Sequence, residues 1–315
     1  MIGYLGPEGS FTYAAALAWS DRERLRAFDS VSSITATVGA GDISGGVIAI
    51  ENSVEGYVAQ SLDALIAADD VVAVDQIELP ITFDAFTLPG ASDLRSISAH
   101  PHGLAQCRDF VASRSLPVIA ASSNAAACRD LGPHGIALGP RVCGDLYGLT
   151  TLAREVQDFA GARTRFLRLA RRDLASKILR GGDAPDRRGE AGHGDTVDEW
   201  STMVALTPTV AGPGVLARIA AAFGRRGVNM SSLVTRPLKA VSGRYVFVIT
   251  CDGAPWQDHL RALFEELLAA GDSLKTLGVF PHADDLDAMV DPNRIPAGSA
   301  SDEQSPASKA RALLW

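Results

Sequence analysis

Gly161-Ala162-Arg163-Thr164-Arg165-Phe166-Leu167-Arg168-Leu169 reads as a loop, marked by Gly161, that turns into an apolar-alternating strand from Phe166 to Leu169. A hydroxyl and a guanidinium, Thr164 and Arg165, stand where the loop becomes the strand. Arginine keeps its charge and grips a carboxylate through two parallel hydrogen bonds, while threonine gives or takes one proton at short range. The pair therefore suits an oxyanion. A surface ion pair beside a strand-forming threonine explains the same two residues, so the rest of the chain has to decide.

Working backward from this stretch, strands and helices alternate. Ile2 to Leu5 reads as a strand and Gly6-Pro7-Glu8-Gly9 as a turn, with Ser10 as N-cap of a helix through Phe11, Ala14, Ala15, Leu17 and Ala18. The turn and capped helix form an anion-receptive corner, but their glycine spacing does not fit the dinucleotide fingerprint. Val47-Ile48-Ala49-Ile50 reads as a buried strand ending in Glu51-Asn52-Ser53, followed by Val54-Glu55-Gly56 and a helix with Leu62, Leu65 and Ile66. Polar residues at the C-terminal end of a parallel strand are where α/β proteins place ligand contacts, and Asn52 and Ser53 offer uncharged donors there.

Further strands are expected at Val71 to Val74, around Ile97-Ser98, at Val118-Ile119-Ala120 and at Gly135 to Gly139, with a helix from Leu104 to Phe110. His100 and His102 have no acidic or cysteine partner at a ligand spacing and read as loop or capping residues. Ser122-Ser123-Asn124-Ala125 reads as a cap, and Leu146-Tyr147-Gly148-Leu149 closes another helix. This alternation predicts an α/β domain with a mainly parallel sheet over residues 1–173. Residues 174–199, with Gly181-Gly182-Asp183-Ala184-Pro185, read as a linker.

A second domain, residues 200–281, shows the order βαββαβ of a ferredoxin-like sandwich. Its expected elements are Thr202 to Leu206, a helix facing inward through Val215, Leu216, Ile219, Ala220 and Phe223, then Val228 to Thr235, Tyr245 to Thr250, a helix from Trp256 to Leu268, and Leu274 to Phe280. Residues 282–315 are acidic, small and turn-forming, and read as a mobile tail.

The 315 residues, 47% hydrophobic and 21% charged, describe an ordinary soluble globular protein with ample core. A net charge of -8 argues against nucleic acid and anionic membranes as partners, so an anionic small molecule has to be held by local donors. The first residues lack a basic n-region and a long apolar segment, which argues against a signal peptide. The four scattered cysteines, Cys107, Cys128, Cys143 and Cys251, read as small buried hydrophobes of a cytoplasmic protein.

Taken together, these stretches resemble the prephenate dehydratase family, a catalytic domain followed by an ACT regulatory domain. Tyr4 to Thr12 is similar to its opening motif, Ile50 to Gly56 to its Glu-Asn-Ser motif, His100-Pro101 through Gln106-Cys107 to a third, Tyr147-Gly148-Leu149 to a fourth, and Thr164-Arg165-Phe166 to the catalytic Thr-Arg-Phe. Pro213-Gly214-Val215-Leu216, Val228-Asn229-Met230 and Thr235-Arg236-Pro237-Leu238-Lys239 resemble the ACT pattern. The resemblance implies two α/β lobes of the periplasmic-binding-protein type (type II) with the active site in the cleft between them, then the ferredoxin-like ACT module.

It also implies decarboxylating dehydration of prephenate to phenylpyruvate, without a cofactor or metal. Thr164, Arg165, Asn52 and Gln106 are the implied catalytic residues, and Ser10, Ser53, Glu51 and Phe166 the implied substrate contacts. Gly214, Val215, Leu216, Asn229, Met230, Arg236 and Pro237 are the implied contacts of an amino-acid effector such as phenylalanine, in a homodimer or homotetramer. Ala99 replaces a usual serine, His102 a glutamine, Asn124 a threonine, Ala162 an asparagine and Val234 a glutamate. Ala99 leaves room for an arogenate dehydratase or a non-aromatising prephenate decarboxylase, and Val234 for altered phenylalanine sensitivity. A non-catalytic ligand sensor is the reading from a different class.

Overall fold

The computed structural model describes residues 1–180, 200–210, 212–238, 244–282, 297, 299–300 and 305–313. Residues 1–282 form one unit, and the helix Pro306–Leu313 belongs to a second. The expected linker residues 181–199, Lys239 and most of the expected tail lie outside the described residues.

The first lobe is built from β1 (Ile2–Leu5), α1 (Phe11–Ala16), β2 (Leu25–Phe28), α2 (Val31–Ala40), β3 (Gly45–Asn52), β4 (Gly56–Tyr57), α3 (Ala59–Ala67) and β5 (Val71–Pro80). The chain then crosses to a second lobe made of β6 (Asp84–Thr87), β7 (Ser96–Ala99), α4 (Pro101–Gln106), α5 (Arg108–Arg114), β8 (Val118–Ala120), α6 (Asn124–Arg129), β9 (Gly135–Gly139), α7 (Val142–Tyr147) and β10 (Thr150–Ala153). It returns to the first lobe as β11 (Arg163–Arg171), which inserts between β3 and β5.

Two crossing segments therefore join the lobes. They are tied together by the Ile81 amide donating to the Ala162 carbonyl at 2.7 Å and the Val156 amide to the Phe83 carbonyl at 2.8 Å. The return path makes the first sheet mixed rather than mainly parallel. β1 runs parallel to β2 and β3, but β11 arrives from the far lobe and runs antiparallel to both its neighbours. Gly46 is required on β3, because a Cβ there would lie 2.4 Å from the Ile34 side chain of α2.

The helix expected from Leu104 to Phe110 is broken at Cys107, where φ is -128° and ψ 34°. The break ends α4 at Gln106 and turns that side chain toward the other lobe. Helix α1 stops at Ala16, and β5 runs six residues past Val74 to Pro80. The expected linker begins as helix: α8 (Arg172–Arg180) follows β11 without a break, its Ala175 packed with Val72 and Val74.

The second domain follows the expected order: β12 (Trp200–Thr207), α9 (Val215–Arg225), β13 (Met230–Pro237), β14 (Tyr245–Asp252), α10 (Asp258–Ala269) and β15 (Ser273–Pro281). Its strand order β13-β14-β12-β15 continues directly into the first lobe, because β15 makes a parallel bridge to β5 at Gly278 and Ala73. One face of this sheet packs Leu206, Ile249 and Cys251 against α9 and α10 through Ile219, Phe223, Leu260 and Leu263. The other face, with Met203, Ala205, Val246 and Val248, shares a core with Ile34 of α2 and with Leu62 and Leu65 of α3. A sheet buried on both faces cannot drift from the lobe it rests on without exposing apolar area at roughly 25 cal/mol per Å².

Candidate active site

Thr164 and Asn52 are opposite one another across the β11–β3 ladder. The ladder slips by one residue between Arg165 and Phe166, leaving Ile50 as the extra residue of a bulge in β3. Beyond that bulge Asn52 and Thr164 share a face, and the Asn52 amide donates to Thr164 Oγ1 at 2.8 Å. Asn52 Oδ1 in turn accepts from the amides of Val54 and Glu55 at 2.9 and 3.0 Å. Its carbonyl oxygen is thereby committed to the turn, so the amide must face Thr164 as a donor. Thr164, 7% exposed, accepts that bond, and no protein acceptor takes its own proton among the described residues.

Ser53 repeats the arrangement. Its oxygen accepts the Arg163 amide at 3.0 Å while its backbone amide donates to the Arg163 carbonyl at 2.9 Å. Two hydroxyl oxygens are thus held as acceptors, with both protons available, where β3 ends and β11 begins. Such fixed donors favour developing negative charge without needing to reorganise.

Gln106 comes from the other lobe. Its Nε2 donates to Glu55 Oε1 at 3.1 Å, and His102 Nδ1 lies 3.5 Å from Glu55 Oε2. Glu55 therefore bridges the lobes directly above the turn that orients Asn52. The expected residue Gln106 reaches Thr164 through this chain of Glu55 and Asn52, and no direct bond joins the two among the described residues.

The structure redirects four expected site residues, Arg165, Glu51, Ser10 and Phe166. Arg165 follows Thr164 on the strand and points to the opposite face. There it lies between Glu51 and Glu78, at 3.4 and 3.3 Å, its side chain 16% exposed. Glu51, expected as a substrate contact, is one of those partners, so both residues brace the sheet. Ser10 donates to the Leu5 carbonyl at 3.0 Å and accepts from the Tyr13 amide at 3.1 Å, which is the capping role. Phe166 is 1% exposed and packs with Ile2, Tyr4, Tyr13 and Val47, so it is core and cannot touch a substrate.

Ala99 is fully buried in the second lobe's core with Ile97, Ile136 and Leu138. Its methyl group is packed within that core and is not exposed to solvent. His100 caps α4, accepting the His102 amide at Nδ1. Burial and the neighbouring His102 hold its imidazole below the usual histidine range, against an opposing pull from Glu55. All four cysteines are buried thiols, and burial pushes Cys107 and Cys251 up to about 12, far from thiolate chemistry at neutral pH.

The expected effector residues fall at two ends of the C-terminal sheet. Gly214, with φ 89°, caps α9 ahead of Val215 and Leu216, near where β12 ends. Asn229 and Met230 begin β13, where Asn229 Nδ2 donates to Asp252 at 3.0 Å. Arg236 and Pro237 end β13, about 23 Å further on at a strand's rise per residue. Arg236 forms a bidentate ion pair with Asp63 of α3, at 2.8 and 3.0 Å.

Sequence reasoning missed Glu55, Glu78 and Tyr57. Glu55 sits inside a quoted motif but had no partner in sequence to give it a role. Glu78 lay beyond the expected end of its strand. Tyr57 donates to Ser232 Oγ at 2.8 Å over a separation of 175 residues, which no local pattern reveals.

The class is a two-lobed α/β domain, with oriented hydroxyls beside the Glu55–Gln106 contact between its lobes, followed by a ferredoxin-like βαββαβ module. The chain belongs to the prephenate dehydratase family, whose profile matches residues 2–174. A prephenate dehydratase of Amycolatopsis methanolica is 30% identical over 297 residues, spanning 92% of this chain and 91% of its own. That of Corynebacterium glutamicum is 32% identical over 293 residues, spanning 86% of each. The crystal structure of a prephenate dehydratase of Arthrobacter aurescens in complex with L-Phe superposes with a TM-score of 0.73 at 28% identity, covering 93% of both chains.

Proposed function

We propose that this protein converts prephenate to phenylpyruvate, carbon dioxide and water, with Thr164 as the residue that assists departure of the ring hydroxyl. The observation that carries this reading is the orientation of the Asn52–Thr164 pair, which aims the threonine proton away from the protein. The bond from the ring to its carboxylate breaks, its electron pair enters the ring, and the C–O bond to the hydroxyl breaks as the ring becomes aromatic, the departing hydroxide taking one proton, ultimately from solvent, to leave as water. Aromatisation supplies the driving force, so the enzyme has only to stabilise the leaving oxygen. Thr164 is a poor acid in water and acts by hydrogen bonding to charge as it develops. Ser53 supplies a second donor, and Glu55 with Gln106 draws the second lobe over the substrate.

Arg165 serves here as a brace of the sheet. Thr164→Ala lowers kcat by roughly 10²-fold or more with a smaller change in KM, measured as phenylpyruvate formed from prephenate. A variant that keeps normal turnover removes Thr164 from the mechanism. Running arogenate in parallel, and identifying products by mass, separates this reaction from arogenate dehydration and from non-aromatising decarboxylation of prephenate.

Phenylalanine is the first candidate effector, because the Arthrobacter relative is a complex with L-Phe. The expected effector residues are divided between two ends of one sheet, so a second copy of the chain would have to complete the site. A homodimer or larger even assembly follows, to be checked by light scattering. Val234 packs against the core shared with α2 and α3, so the phenylalanine response should be weaker than where glutamate stands. Among the described residues no helix is long and apolar enough to cross a membrane, and the relatives' biosynthetic role favours the cytoplasm.

A further inference from the structure

The segment from Asn52 to Asp63 carries the residue that orients Thr164, and it is gripped from the C-terminal domain at two points. β4 folds back on the end of β3, placing Tyr57 opposite Glu51 and Gly56 opposite Asn52. The Tyr57 hydroxyl then leaves the lobe and donates to Ser232 Oγ of β13 at 2.8 Å. A register shift between Met230 and Ser232 sets Ser232 opposite Thr250, a bulge that fixes where its side chain is aimed. Four residues further along the same strand, Arg236 closes its two-bond ion pair with Asp63. Asp63 lies on α3, which begins at Ala59, two residues after Tyr57.

One strand therefore holds both β4, where the turn after β3 ends, and the helix α3 that follows it. Immediately before the first anchor, in the turn that leads from Asn52 into β4, lie the Val54 and Glu55 amides that fix Asn52 and the Glu55 carboxylate that meets Gln106. Burial raises the Tyr57 phenol above its ordinary range, so it is a protonated donor at neutral pH.

We propose that Tyr57 is a positioning residue for the dehydration: its bond to Ser232 lets strand β13 set the place of β4, and through it the direction of the Asn52 amide and the Thr164 proton. The proposal rests on the dehydratase reading for its chemistry. Tyr57 touches no reacting atom. It makes the C-terminal sheet part of the active site's scaffold, so any event that moves β13 acts on the rate of hydroxyl departure.

The test uses the full-length chain with Tyr57→Phe, Ser232→Ala and the double variant. Each single change should lower kcat by roughly 3- to 10-fold, the effect of one neutral hydrogen bond, with KM within about 2-fold. The double variant should be no slower than either single one, because both remove the same bond. Deuterium uptake over residues 53–63 should rise in all three. Unchanged kcat in Tyr57→Phe, losses that add in the double variant, or unchanged uptake would each overturn the proposal. A wild-type protein that leaves prephenate intact sinks the dehydratase reading alone, and the uptake measurements still decide whether Ser232 anchors the segment through Tyr57.

Discussion

The Asn52 side-chain amide donates to Thr164 Oγ1 across 2.8 Å, and the same amide's oxygen receives two backbone N–H groups from the turn that follows it. The threonine is therefore an acceptor toward Asn52, and no protein acceptor takes its own proton among the described residues. That polarity, more than the presence of a hydroxyl, is what the surrounding residues have arranged.

Asn52→Asp tests the polarity without disturbing the turn. The carboxylate still accepts from Val54 and Glu55, but it now faces Thr164 as an acceptor and draws the threonine proton inward. Turnover of prephenate should fall by about 10² to 10³-fold. Circular dichroism and the unfolding midpoint should stay close to those of the parent.

Arg165 and Thr164 are neighbours in sequence with opposite duties. Arg165→Met leaves Glu51 and Glu78 flanking an apolar side chain on a partly buried sheet face and should cost about 1–3 kcal/mol in urea unfolding. The folded fraction should keep kcat within roughly 10-fold, whereas Thr164→Ala should fold normally and lose about 10²-fold. The reverse pattern would return Arg165 to the chemistry.

His100 gives the second lobe a pH dependence. Its Nδ1 accepts the His102 amide and must be unprotonated to do so. Burial and His102 hold the folded-state pKa below the unfolded value, so the unfolded chain binds more protons. Stability from this group is complete above about pH 6.5 and is lost as pH falls through the folded pKa. Thermal unfolding between about pH 7.5 and 5 should show a smaller decline in His100→Asn, which keeps a helix-capping side chain without the titration.

Lys275 fastens the two domains. From β15 its Nζ donates to the carbonyls of Leu65, Ile66 and Ala68, at 3.3, 2.7 and 2.5 Å, closing the C-terminal end of α3. Lys275→Met should destabilise the protein by about 1–3 kcal/mol, because those carbonyls lose both their partner and a favourable charge. Lys275→Arg should recover part of the loss in the same unfolding experiment.

The residues alone determined the alternation of strands and helices in the first domain and the βαββαβ order of the second, because local periodicity, caps and glycine turns act over a few residues. The two-lobed class came from the resemblance of several motifs to one family. The resemblance implied that Asn52 and Thr164 share a site, and the β11–β3 register is what sets them opposite one another. Hydrophobic pattern says that a strand is buried but not which way its neighbour runs, so the insertion of β11 between β3 and β5, antiparallel to both, needed the chain's return from the far lobe. The same insertion sent Arg165 to one face and Thr164 to the other. It also closed off Phe166 in the core. Partners such as Tyr57 with Ser232 and Asp63 with Arg236, 175 and 173 residues apart, meet only because two sheets join at Gly278 and Ala73 and share one core. Contacts that depend on how whole sheets pack leave no local trace in sequence, since each partner taken singly is an ordinary polar residue on a strand or helix.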